Sequence, residues 1–481
     1  MPNISKNYVN GDWITPSSAA SMNVINPANE EVLGRITLSN ARDVDVAVAA
    51  AKEAFEAWSL TGLEERVALL EKLADLTEKR MEEMARAVRL DMGAPLVLAR
   101  QEQADAPLGH LRAFIADVKT QSVRETLPTG DVVTREPIGV CGLITPWNWP
   151  LSLIALKVIP AIAAGCTVVL KPSEYAPFSS VIYAELMHAA GFPAGVFNMV
   201  QGDGPTAGDA LSRHPDVAMI SFTGSTRAGV AVQKAAADTV KRVTLELGGK
   251  GPNIIFDDCD LRERIGYSVR QCFKNTGQSC DAPTRLIVER SAYDKALEIA
   301  KEVAANTVSG DPADPATTIG PLVNAIQFDR VQALIQAGID EGATLLCGGP
   351  GRPEGMDKGY YVRPTIYVDV TSDMKIAREE IFGPVLVIMP FDGEDEAVAI
   401  ANDTPYGLAS YIQSGDRSRI ERVARRLRAG IIRINGGGPN YGCPVGGFKM
   451  SGNGREGGLP GLQEYQEINP HSPSKSLISL S

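Results

Sequence analysis

Hydrophobic and polar positions follow a repeating strand–helix pattern between residues 139 and 247. Short apolar runs bounded by turn residues predict strands at 140–145, 167–171, 197–200 and 218–223. Helical periodicity between them predicts helices at 151–163, 178–190 and 206–212. This alternation indicates an α/β fold with a parallel, doubly wound sheet. Ligands bind such sheets at the carboxyl ends of the strands, where Lys171, Thr223 and Gly224 are expected.

The regions on either side have different patterns. Helices are predicted at 43–58, 64–90 and 98–118, and a hairpin or arm leaving the body at 123–137. After Leu247 a second α/β unit is predicted, with helices at 292–305, 326–340 and 395–402 and strands at 284–289, 385–389 and 431–434. The alternating run 476–480 near the C-terminus is suited to pairing as a strand on a partner subunit.

Composition narrows the class of protein. The chain has 481 residues, 44% hydrophobic and 22% charged, enough for two or three domains with ordinary cores. A net charge of −11 argues against a nucleic-acid partner, although a dinucleotide can still bind through backbone N–H groups. Seven cysteines without a Cys-x-x-Cys pair favour a reducing compartment over a disulfide scaffold or a zinc site. We expect a cytoplasmic protein without a metal or a membrane partner, because the sequence contains neither a secretory leader nor a bilayer-spanning stretch.

One cysteine, Cys280, is a candidate nucleophile. It follows the polar, glycine-containing segment 275–279 and precedes the predicted strand 284–289. A thiol between a helix and a strand can be partly exposed, and its thiolate form requires positive dipoles or donors around it. A single cysteine is more often a small buried apolar residue, so this segment alone leaves both interpretations open.

Glu246 and Asn148 are candidate partners for that thiol. Glu246 ends an apolar, strand-like segment beside Gly248 and Gly249. It could act as a general base, with its pKa raised by apolar surroundings, or it could cap local backbone donors. Asn148 lies in a turn stiffened by two prolines and two tryptophans. Its amide could serve as an oxyanion donor, or it could satisfy the backbone of its own turn.

A dinucleotide site is suggested at the junction 224–229. Small residues there would let a pyrophosphate approach the N–H groups that begin the next helix, although an ordinary tight turn has the same appearance. Lys171 could hold a ribose hydroxyl or a phosphate, and Glu174 could accept a hydrogen bond from the ribose 2′-OH. The alternatives are a solvated lysine and a glutamate at the start of a helix.

The sequence resembles the aldehyde dehydrogenase superfamily nearly end to end. Each motif is weak by itself, but their combination in this order is very specific. The motifs are Pro146-Trp147-Asn148, Lys171-Pro172-Ser173-Glu174, Phe222-Thr223-Gly224-Ser225-Thr226, Glu246-Leu247-Gly248-Gly249-Lys250, Gly277-Gln278-Ser279-Cys280, Glu380-Ile381-Phe382-Gly383-Pro384-Val385 and Gly446-Gly447-Phe448-Lys449-Met450-Ser451-Gly452.

The resemblance implies oxidation of an aldehyde to its carboxylic acid with NAD. In this scheme Cys280 forms a thiohemiacetal and then a thioester, and Glu246 activates the water that hydrolyses the thioester. The Asn148 amide and the Cys280 backbone N–H hold the oxyanion. A carboxylate at Glu174 would repel a 2′-phosphate, which favours NAD, while Lys171 leaves NADP possible.

The resemblance also implies the organisation of the chain. A Rossmann-like, doubly wound NAD-binding domain is expected at 1–118 and 138–247, and a second α/β catalytic domain at 248–448. A small β oligomerisation arm at 119–137 and a tail at 465–481 complete the chain. The expected assembly is a homodimer or a homotetramer.

The remaining site residues carried by the resemblance fall into two groups. In the cofactor group, Glu380 is expected on the nicotinamide ribose and Phe382 against the nicotinamide face. The whole cofactor group is Ile144, Thr145, Pro146, Trp147, Lys171, Ser173, Glu174, Gly204, Phe222, Gly224, Ser225, Leu247, Glu380 and Phe382. The residues expected to line the substrate channel are Trp149, Leu153, Leu156, Asp281 and Val445.

Two channel positions depart from well-known family members. Asp281 stands where small or apolar residues are common, and Val445 where a phenylalanine is frequent. With no evident cationic clamp, a carboxylate beside the nucleophile predicts a preference for neutral, fairly bulky aldehydes over short anionic semialdehydes. The alternative is that Asp281 turns away and pairs with Arg285 or a backbone donor.

Three other functions compete with this one. A variant that transfers the acyl group to coenzyme A generally lacks the base found here as Glu246. A cysteine hydrolase without a redox cofactor has few partners, since the chain has only four histidines. A non-catalytic role is disfavoured by the presence of Cys280, Glu246 and Asn148 together.

Overall fold

The fold is described from a computed structural model, and the structure describes residues 4–471. The predicted strand at 476–480 therefore lies outside the described residues. Among residues 4–471, no helix combines the length and the apolar character needed to cross a bilayer.

Twenty strands are found in the described part of the chain. They are β1 Asn7–Val9, β2 Asp12–Ile14, β3 Ser21–Ile25, β4 Val32–Thr37, β5 Arg124–Thr126, β6 Val132–Pro137, β7 Val140–Ile144, β8 Thr167–Lys171, β9 Phe197–Met199, β10 Met219–Thr223, β11 Arg242–Glu246, β12 Pro252–Ile255, β13 Arg285–Glu289, β14 Thr344–Cys347, β15 Thr365–Val368, β16 Val385–Phe391, β17 Ala409–Gln413, β18 Ile431–Ile434, β19 Gly452–Asn453 and β20 Gln466–His471.

Sixteen α-helices are found between residues 4 and 471. They are α1 Ala41–Trp58, α2 Leu63–Lys79, α3 Met81–Asp91, α4 Leu96–Leu98, α5 Ala106–Thr120, α6 Pro150–Ala164, α7 Pro177–Ala190, α8 Asp209–Arg213, α9 Thr226–Ala236, α10 Leu261–Phe273, α11 Tyr293–Ala305, α12 Ala325–Asp340, α13 Lys375–Arg378, α14 Gly393–Asn402, α15 Arg417–Ala424 and α16 Gly458–Gln463.

The first sheet confirms the predicted doubly wound α/β arrangement. Its strand order is β19-β11-β10-β7-β8-β9-β1-β2, and the strands from β11 to β9 run parallel. The chain order reverses between β7 and β10, which are neighbours in the sheet. Such a reversal opens a crevice beyond the carboxyl ends of the two strands. Ile144 and Thr223 end these strands, so the turns that follow them border the crevice.

A second sheet and a smaller third sheet complete the fold. The second has the order β14-β15-β16-β13-β12-β17-β18 and is parallel except for β14. β19 then returns the chain to the first sheet, where Gly452 pairs with Glu246. The third sheet, in the order β20-β6-β5, is antiparallel and contains the predicted hairpin at 123–137.

The predicted helix at 64–90 is wrong in one respect, because the structure has two helices there. Arg80 leaves the helical conformation between α2 and α3, with φ −110° and ψ 12°. Its guanidinium donates to Glu83 and Glu185 at 2.7 Å each, which fixes this corner against α7. Apolar periodicity continues across a one-residue break, so the pattern alone did not reveal it.

The predicted helix at 98–118 is also interrupted. Residues 96–98 form α4, residues 99–103 form a π-helical turn, and α5 starts only at residue 106. Pro107 occupies the first turn of α5, where its missing N–H costs no helical hydrogen bond. The short helix predicted at 206–212 is likewise a π-helical turn at 204–208 followed by α8. The other predicted elements agree with the structure to within two residues.

Helix α6 lies in the largest hydrophobic core and connects it to the crevice. Every residue from Ile154 to Ala164 is buried, so the helix is enclosed on all sides. Leu156 belongs to this core and Leu153 packs against it half-buried. Because α6 begins two residues after Asn148, its rigid packing fixes the position of that turn.

Candidate active site

The segment before Cys280 is held in an unusual backbone conformation. After α10, Asn275 and Thr276 have φ of 54° and 57°, and Gly277 has φ of 71°. A Cβ on Gly277 would overlap the carbonyl group of Gly383. The buried Gln278 side chain then donates to the Asn275 carbonyl at 3.1 Å and accepts from the Val323 N–H at 3.0 Å. These contacts fix the direction in which the chain enters residues 279 and 280.

We expect Gly277→Ala to lower the free energy of unfolding by about 2–4 kcal/mol, because a left-handed φ and a backbone overlap act together. Gly342→Ala is the matched control, since Gly342 has φ of 89° but no atom within 4 Å of an added Cβ. Urea unfolding of both variants measures the difference. Equal losses in the two variants would contradict the proposed overlap with Gly383.

Asn148 binds the same segment from the first sheet. Its Nδ2 donates to the Gln278 carbonyl at 3.0 Å, and the neighbouring Trp149 Nε1 donates to the Ser279 hydroxyl at 2.9 Å. Gln103 donates to the Asn148 carbonyl at 2.9 Å. The amide therefore reaches across the fold instead of satisfying its own turn. An asparagine amide has two N–H groups, so the second remains for a group bound beside Cys280.

Glu246 ends β11 as a buried carboxylate. Its Oε1 accepts no hydrogen bond from any residue in the range 4–471, so it does not cap the local backbone. Burial raises the pKa of Glu246 well above its usual range, and the nearby Glu456 carboxylate raises it further. An unpartnered carboxyl with a raised pKa is suited to accept a proton from water.

A buried ion pair lies behind Glu246. Lys157, a fully buried residue of α6, pairs with Glu456 and donates to the Ser221 hydroxyl at 3.0 Å. Glu456 is also bonded through its backbone to Val445, at 2.7 Å and 2.8 Å. The pair connects the first sheet to the half-buried Val445, one of the residues expected to line the substrate channel.

Glu456→Gln should move the acidic limb of the kcat–pH profile to lower pH. The Glu456 charge raises the pKa of Glu246, so neutralising it lowers that pKa and leaves Glu246 ionised at lower pH. Glu421→Gln, a change in an exposed residue paired with Arg417, should leave the profile unchanged. The Glu456 account is wrong if the limb stays in place or moves upward.

The two glycines after Leu247, Gly248 and Gly249, allow the Glu380 side chain and the Cys280 carbonyl to lie close to the backbone. Gly249 donates its N–H to Glu380 Oε1 at 2.9 Å. A Cβ atom added to Gly248 would overlap the Glu380 side chain. A Cβ atom added to Gly249 would overlap the Cys280 carbonyl. Burial raises the pKa of Glu380 to about 7. Glu380 therefore belongs to the site and is not an exposed surface residue.

The charged groups that act on the Cys280 thiol are carboxylates. Cys280 is half-buried as a residue. Burial raises its pKa well above the usual range, and the carboxylates of Asp281, Glu380 and Glu246 raise it further. The thiolate form requires positive dipoles or donors, but the charged groups that act on Cys280 are these carboxylates, from three separate parts of the chain. They disfavour the thiolate in this arrangement.

Asp281 has a cationic partner, which corrects two expectations. Its carboxylate pairs with Arg433, so a cation does stand beside the nucleophile. Arg285 is not the partner: its guanidinium is buried and donates to the carbonyls of Lys250, Ile400 and Ala401. Because Arg433 pairs with Asp281 and offsets part of its charge, the predicted repulsion of anionic substrates by Asp281 is weakened.

The crevice at the strand ends has groups that fit a dinucleotide. Lys171 is buried and pairs with Glu174 at 3.0 Å, so it is not a solvated lysine. The buried hydroxyls of Thr145 and Thr223 have no hydrogen-bond partner within residues 4–471. Ser225 caps the N-terminus of α9 by accepting a hydrogen bond from the Ala228 N–H. A helix N-terminus favours the binding of an anion. Unpartnered donors and an open helix terminus are the features that a phosphate and ribose ligand requires.

The other expected cofactor residues are placed around this crevice or near it. Ile144, Phe222 and Leu247 are buried in one apolar cluster of the first sheet. Trp147 and Phe382 meet edge to face with ring centroids 5.5 Å apart. Pro146 is half-buried, Ser173 is buried, and Gly224 donates its N–H to the Glu246 carbonyl at 3.0 Å. Gly204 is exposed at the start of the π-helical turn at 204–208.

A sequence model of the aldehyde dehydrogenase family matches residues 13–470. The chain belongs to the aldehyde dehydrogenase family. Among curated relatives, the 3-succinoylsemialdehyde-pyridine dehydrogenase of a Pseudomonas species is 51% identical over 462 residues, covering 96% of this chain and 97% of that protein.

Solved aldehyde dehydrogenase structures resemble this one over nearly the whole chain. The Bartonella henselae enzyme has a TM-score of 0.97 at 50% identity, covering 98% of this chain and 100% of that one. Aldehyde dehydrogenase C of Pseudomonas syringae, as a cysteine-to-alanine mutant with NAD+ and octanal, has a TM-score of 0.97 at 49% identity and covers 99% of both chains. The predicted family and α/β fold are confirmed.

Some residues of this aldehyde dehydrogenase site were missed from the sequence. Lys157 had a visible signal, because it is the only charged residue in an otherwise apolar helix. Arg433 and Glu456 had no such signal in the sequence, because only tertiary contacts bring them to the site. Lys250 was quoted in a motif without a role. It is buried, its Nζ is unpartnered within the described chain, and burial lowers its pKa to about 7.

Proposed function

We propose that this aldehyde dehydrogenase oxidises neutral, fairly bulky aldehydes to carboxylic acids with NAD, through a covalent intermediate on Cys280. The observation that carries the proposal is the convergence of three groups. The Cys280 segment is bonded to the Asn148 amide, and the unpartnered Glu246 carboxyl acts electrostatically on the same thiol.

The proposed first half-reaction takes place at Cys280. Its sulfur attacks the aldehyde carbon and forms a thiohemiacetal, whose oxygen is held by the free Asn148 N–H and the Cys280 backbone N–H. NAD, when bound, supplies the acceptor for the hydride that leaves this carbon. The product on the enzyme is a thioester at Cys280. The raised pKa of the thiol means that its proton must leave before or during attack.

The proposed second half-reaction belongs to Glu246. Its carboxylate removes a proton from a water molecule, which attacks the thioester and releases the acid. The raised pKa of Glu246 suits this role, because a carboxylate with a raised pKa binds a proton from water more strongly than an exposed carboxylate does. The same base argues against transfer of the acyl group to coenzyme A.

The proposed cofactor residues act mainly by binding. Lys171 and Glu174 would hold the ribose hydroxyls, and the N-terminus of α9 behind Ser225 would receive the pyrophosphate. Glu380 would hold the nicotinamide ribose, and Phe382 would pack against the nicotinamide. NAD is favoured over NADP because the Glu174 carboxylate disfavours a 2′-phosphate, and the homologous P. syringae structure contains NAD+.

The proposed substrate class rests on the Asp281–Arg433 ion pair and not on repulsion of anionic substrates by Asp281. Arg433 is committed to Asp281 and so is not free to bind a substrate carboxylate. Trp149, Leu153 and Val445 are half-buried and would supply apolar surface, whereas Leu156 is buried in the core. A pyridine-bearing semialdehyde in the name of one relative and octanal in the structure of another support aldehydes of this kind.

The decisive assay follows NADH absorbance with octanal, benzaldehyde and succinic semialdehyde, each with and without coenzyme A. We expect kcat/KM to be higher for the first two aldehydes and coenzyme A to have no effect. A preference for succinic semialdehyde would reject the substrate class. A requirement for coenzyme A would reject hydrolysis by Glu246. Absence of NADH formation with every aldehyde would reject the whole proposal.

We also propose the limits of the domains. The NAD-binding domain comprises residues 1–118 and 138–247, the catalytic domain residues 248–448, and the arm and tail residues 119–137 and 465–481. The proposed protein is a cytoplasmic homodimer or homotetramer. The three-stranded sheet β20-β6-β5 supports an assembly role, because Ile468 on β20 is exposed. Ile434 is similarly exposed on β18, the edge strand of the second sheet. Light scattering after size exclusion should give a dimer or tetramer, and a smaller species for Ile468→Lys. A monomeric wild-type protein would reject this assembly.

A further inference from the structure

The residue that follows the candidate nucleophile is held at two points. The Asp281 carboxylate pairs with the Arg433 guanidinium, and the Asp281 backbone carbonyl accepts a hydrogen bond from the Tyr411 hydroxyl at 2.7 Å. The side chains of Asp281 and Arg433 are only 26% and 15% exposed. Water therefore screens this pair less than it screens a surface ion pair.

The two holding groups come from neighbouring strands in register. Tyr411 on β17 is paired directly with Arg433 on β18. The Arg433 guanidinium also lies over the Tyr411 ring, 5.5 Å from its centroid. A rigid pair of strands thus reaches residue 281 from one side, and the second sheet positions the nucleophile segment that the first sheet grips through Asn148.

Besides holding the segment, the Asp281–Arg433 pair changes the charge around the Cys280 thiol. Three carboxylates act on Cys280: Asp281 from its own segment, Glu246 from β11 and Glu380 from the loop before β16. Of these three, only Asp281 has an ion-pair partner in the range 4–471. The tyrosines Tyr411 from β17 and Tyr267 from α10 also act on Arg433, so its guanidinium is surrounded by anionic or hydroxyl groups.

We propose that Arg433 is a positioning residue for the reaction. By pairing with Asp281, it holds the segment that carries Cys280 and offsets part of the charge of the carboxylate next to the thiol. The inference rests on the proposed function in one respect, since it takes Cys280 as the nucleophile.

The sign of each substitution follows from this pairing. Arg433→Met leaves the Asp281 carboxylate unpaired beside the thiol, so the thiolate is disfavoured and the thiol reacts more slowly. Asp281→Asn leaves the Arg433 cation unpaired, so the thiolate is favoured and the thiol reacts faster. In the double variant both charges are absent, and the reactivity should return close to that of the wild type.

The test measures alkylation of Cys280 by iodoacetamide across pH, with the Cys280 peptide quantified by mass spectrometry. In this probe reaction the thiolate displaces iodide and forms a carbon–sulfur bond. At pH 7 we expect Arg433→Met to react about tenfold more slowly than wild type, since a charge placed beside a titrating group shifts its pKa by about one unit or more. The double variant should lie within about threefold of wild type. Arg433→Lys should retain most of the reactivity.

A purely structural role for Arg433 predicts a different pattern. Both Arg433→Met and the double variant would then react abnormally, with no change in the pH dependence and no recovery in the double variant. That result would overturn the proposal. Arg419→Met is the matched control, because Arg419 is also half-buried, lies in the same part of the chain and pairs with Asp258 at 3.2 Å. It should leave the alkylation profile unchanged.

If Arg433→Met does not fold, the alkylation rate of Asp281→Asn alone tests the proposal about Arg433. This substitution must accelerate alkylation at pH 7, and unchanged or slower alkylation rejects the inference. Failure of the proposed function is separate, because it would appear in the wild-type enzyme as NADH formation that survives alkylation of Cys280. If wild-type activity disappears on alkylation but the variants do not follow the predicted order, only the inference about Arg433 fails.

Discussion

Cys280→Ala is expected to abolish aldehyde oxidation and to leave NAD binding largely unchanged. The thiol is the only nucleophile in the matching motif, and its segment is fixed by the Asn148 amide and the left-handed turn before it. Losing a covalent nucleophile usually costs several orders of magnitude in kcat. Most of the proposed cofactor residues lie on the first sheet or in the turns after its strands, and Glu380 and Phe382 lie in the loop before β16. None of these residues is altered when the sulfur is removed.

Steady-state NADH formation and a calorimetric titration with NAD test the two halves of this prediction. Cys259→Ala is the matched control, because Cys259 is also a partly exposed free cysteine but is not part of the site. Its activity should equal that of wild type. Residual turnover of Cys280→Ala above about one per cent of wild type would count against covalent catalysis by this thiol.

Glu246→Gln should separate the two half-reactions. Glutamine preserves the shape of the buried side chain but cannot accept a proton, so water is no longer activated. Hydride transfer does not need that base. Rapid mixing should therefore show a burst of about one NADH per active site, followed by turnover roughly 10²–10⁴-fold slower than in wild type.

Hydroxylamine provides an independent check on Glu246→Gln. This small nucleophile attacks a thioester without help from a protein base, so it should accelerate turnover after the burst. Loss of the burst itself, in a variant that folds and binds NAD, would mean that Glu246 also takes the proton from the thiol. That outcome would show that the division of roles between the two half-reactions is wrong.

The sequence predicted those parts of the fold that depend on local patterns. Apart from the helix predicted at 206–212, the strands and helices predicted between residues 139 and 247 lie nearly at their observed bounds, because period and turn residues mark them directly. The break at Arg80 was missed, since its cause is a tertiary contact with Glu185. Pro107 did signal the interruption before α5, but the apolar periodicity obscured it.

For the site, ordered motifs predicted which residue types come together but not their electrical environment. The positions of Cys280, Asn148 and Glu246 followed from motifs that each lie on one short stretch. Glu246 and Glu380 act on the thiol from stretches that are distant from Cys280 in the chain, and no local pattern encodes this effect. The Asp281–Arg433 pair was missed for the same reason, and the predicted repulsion by Asp281 did not take this pairing into account.

The central claim is that the acyl group passes through a thioester on Cys280. The most direct test is to mix Glu246→Gln with NAD and octanal, quench the mixture in acid within the burst, and map the adduct by peptide mass spectrometry. The account predicts one octanoyl group on the peptide containing Cys280 and none in the Cys280→Ala, Glu246→Gln double variant. An NADH burst with no acylated peptide, or with the acyl group on another residue, would contradict it.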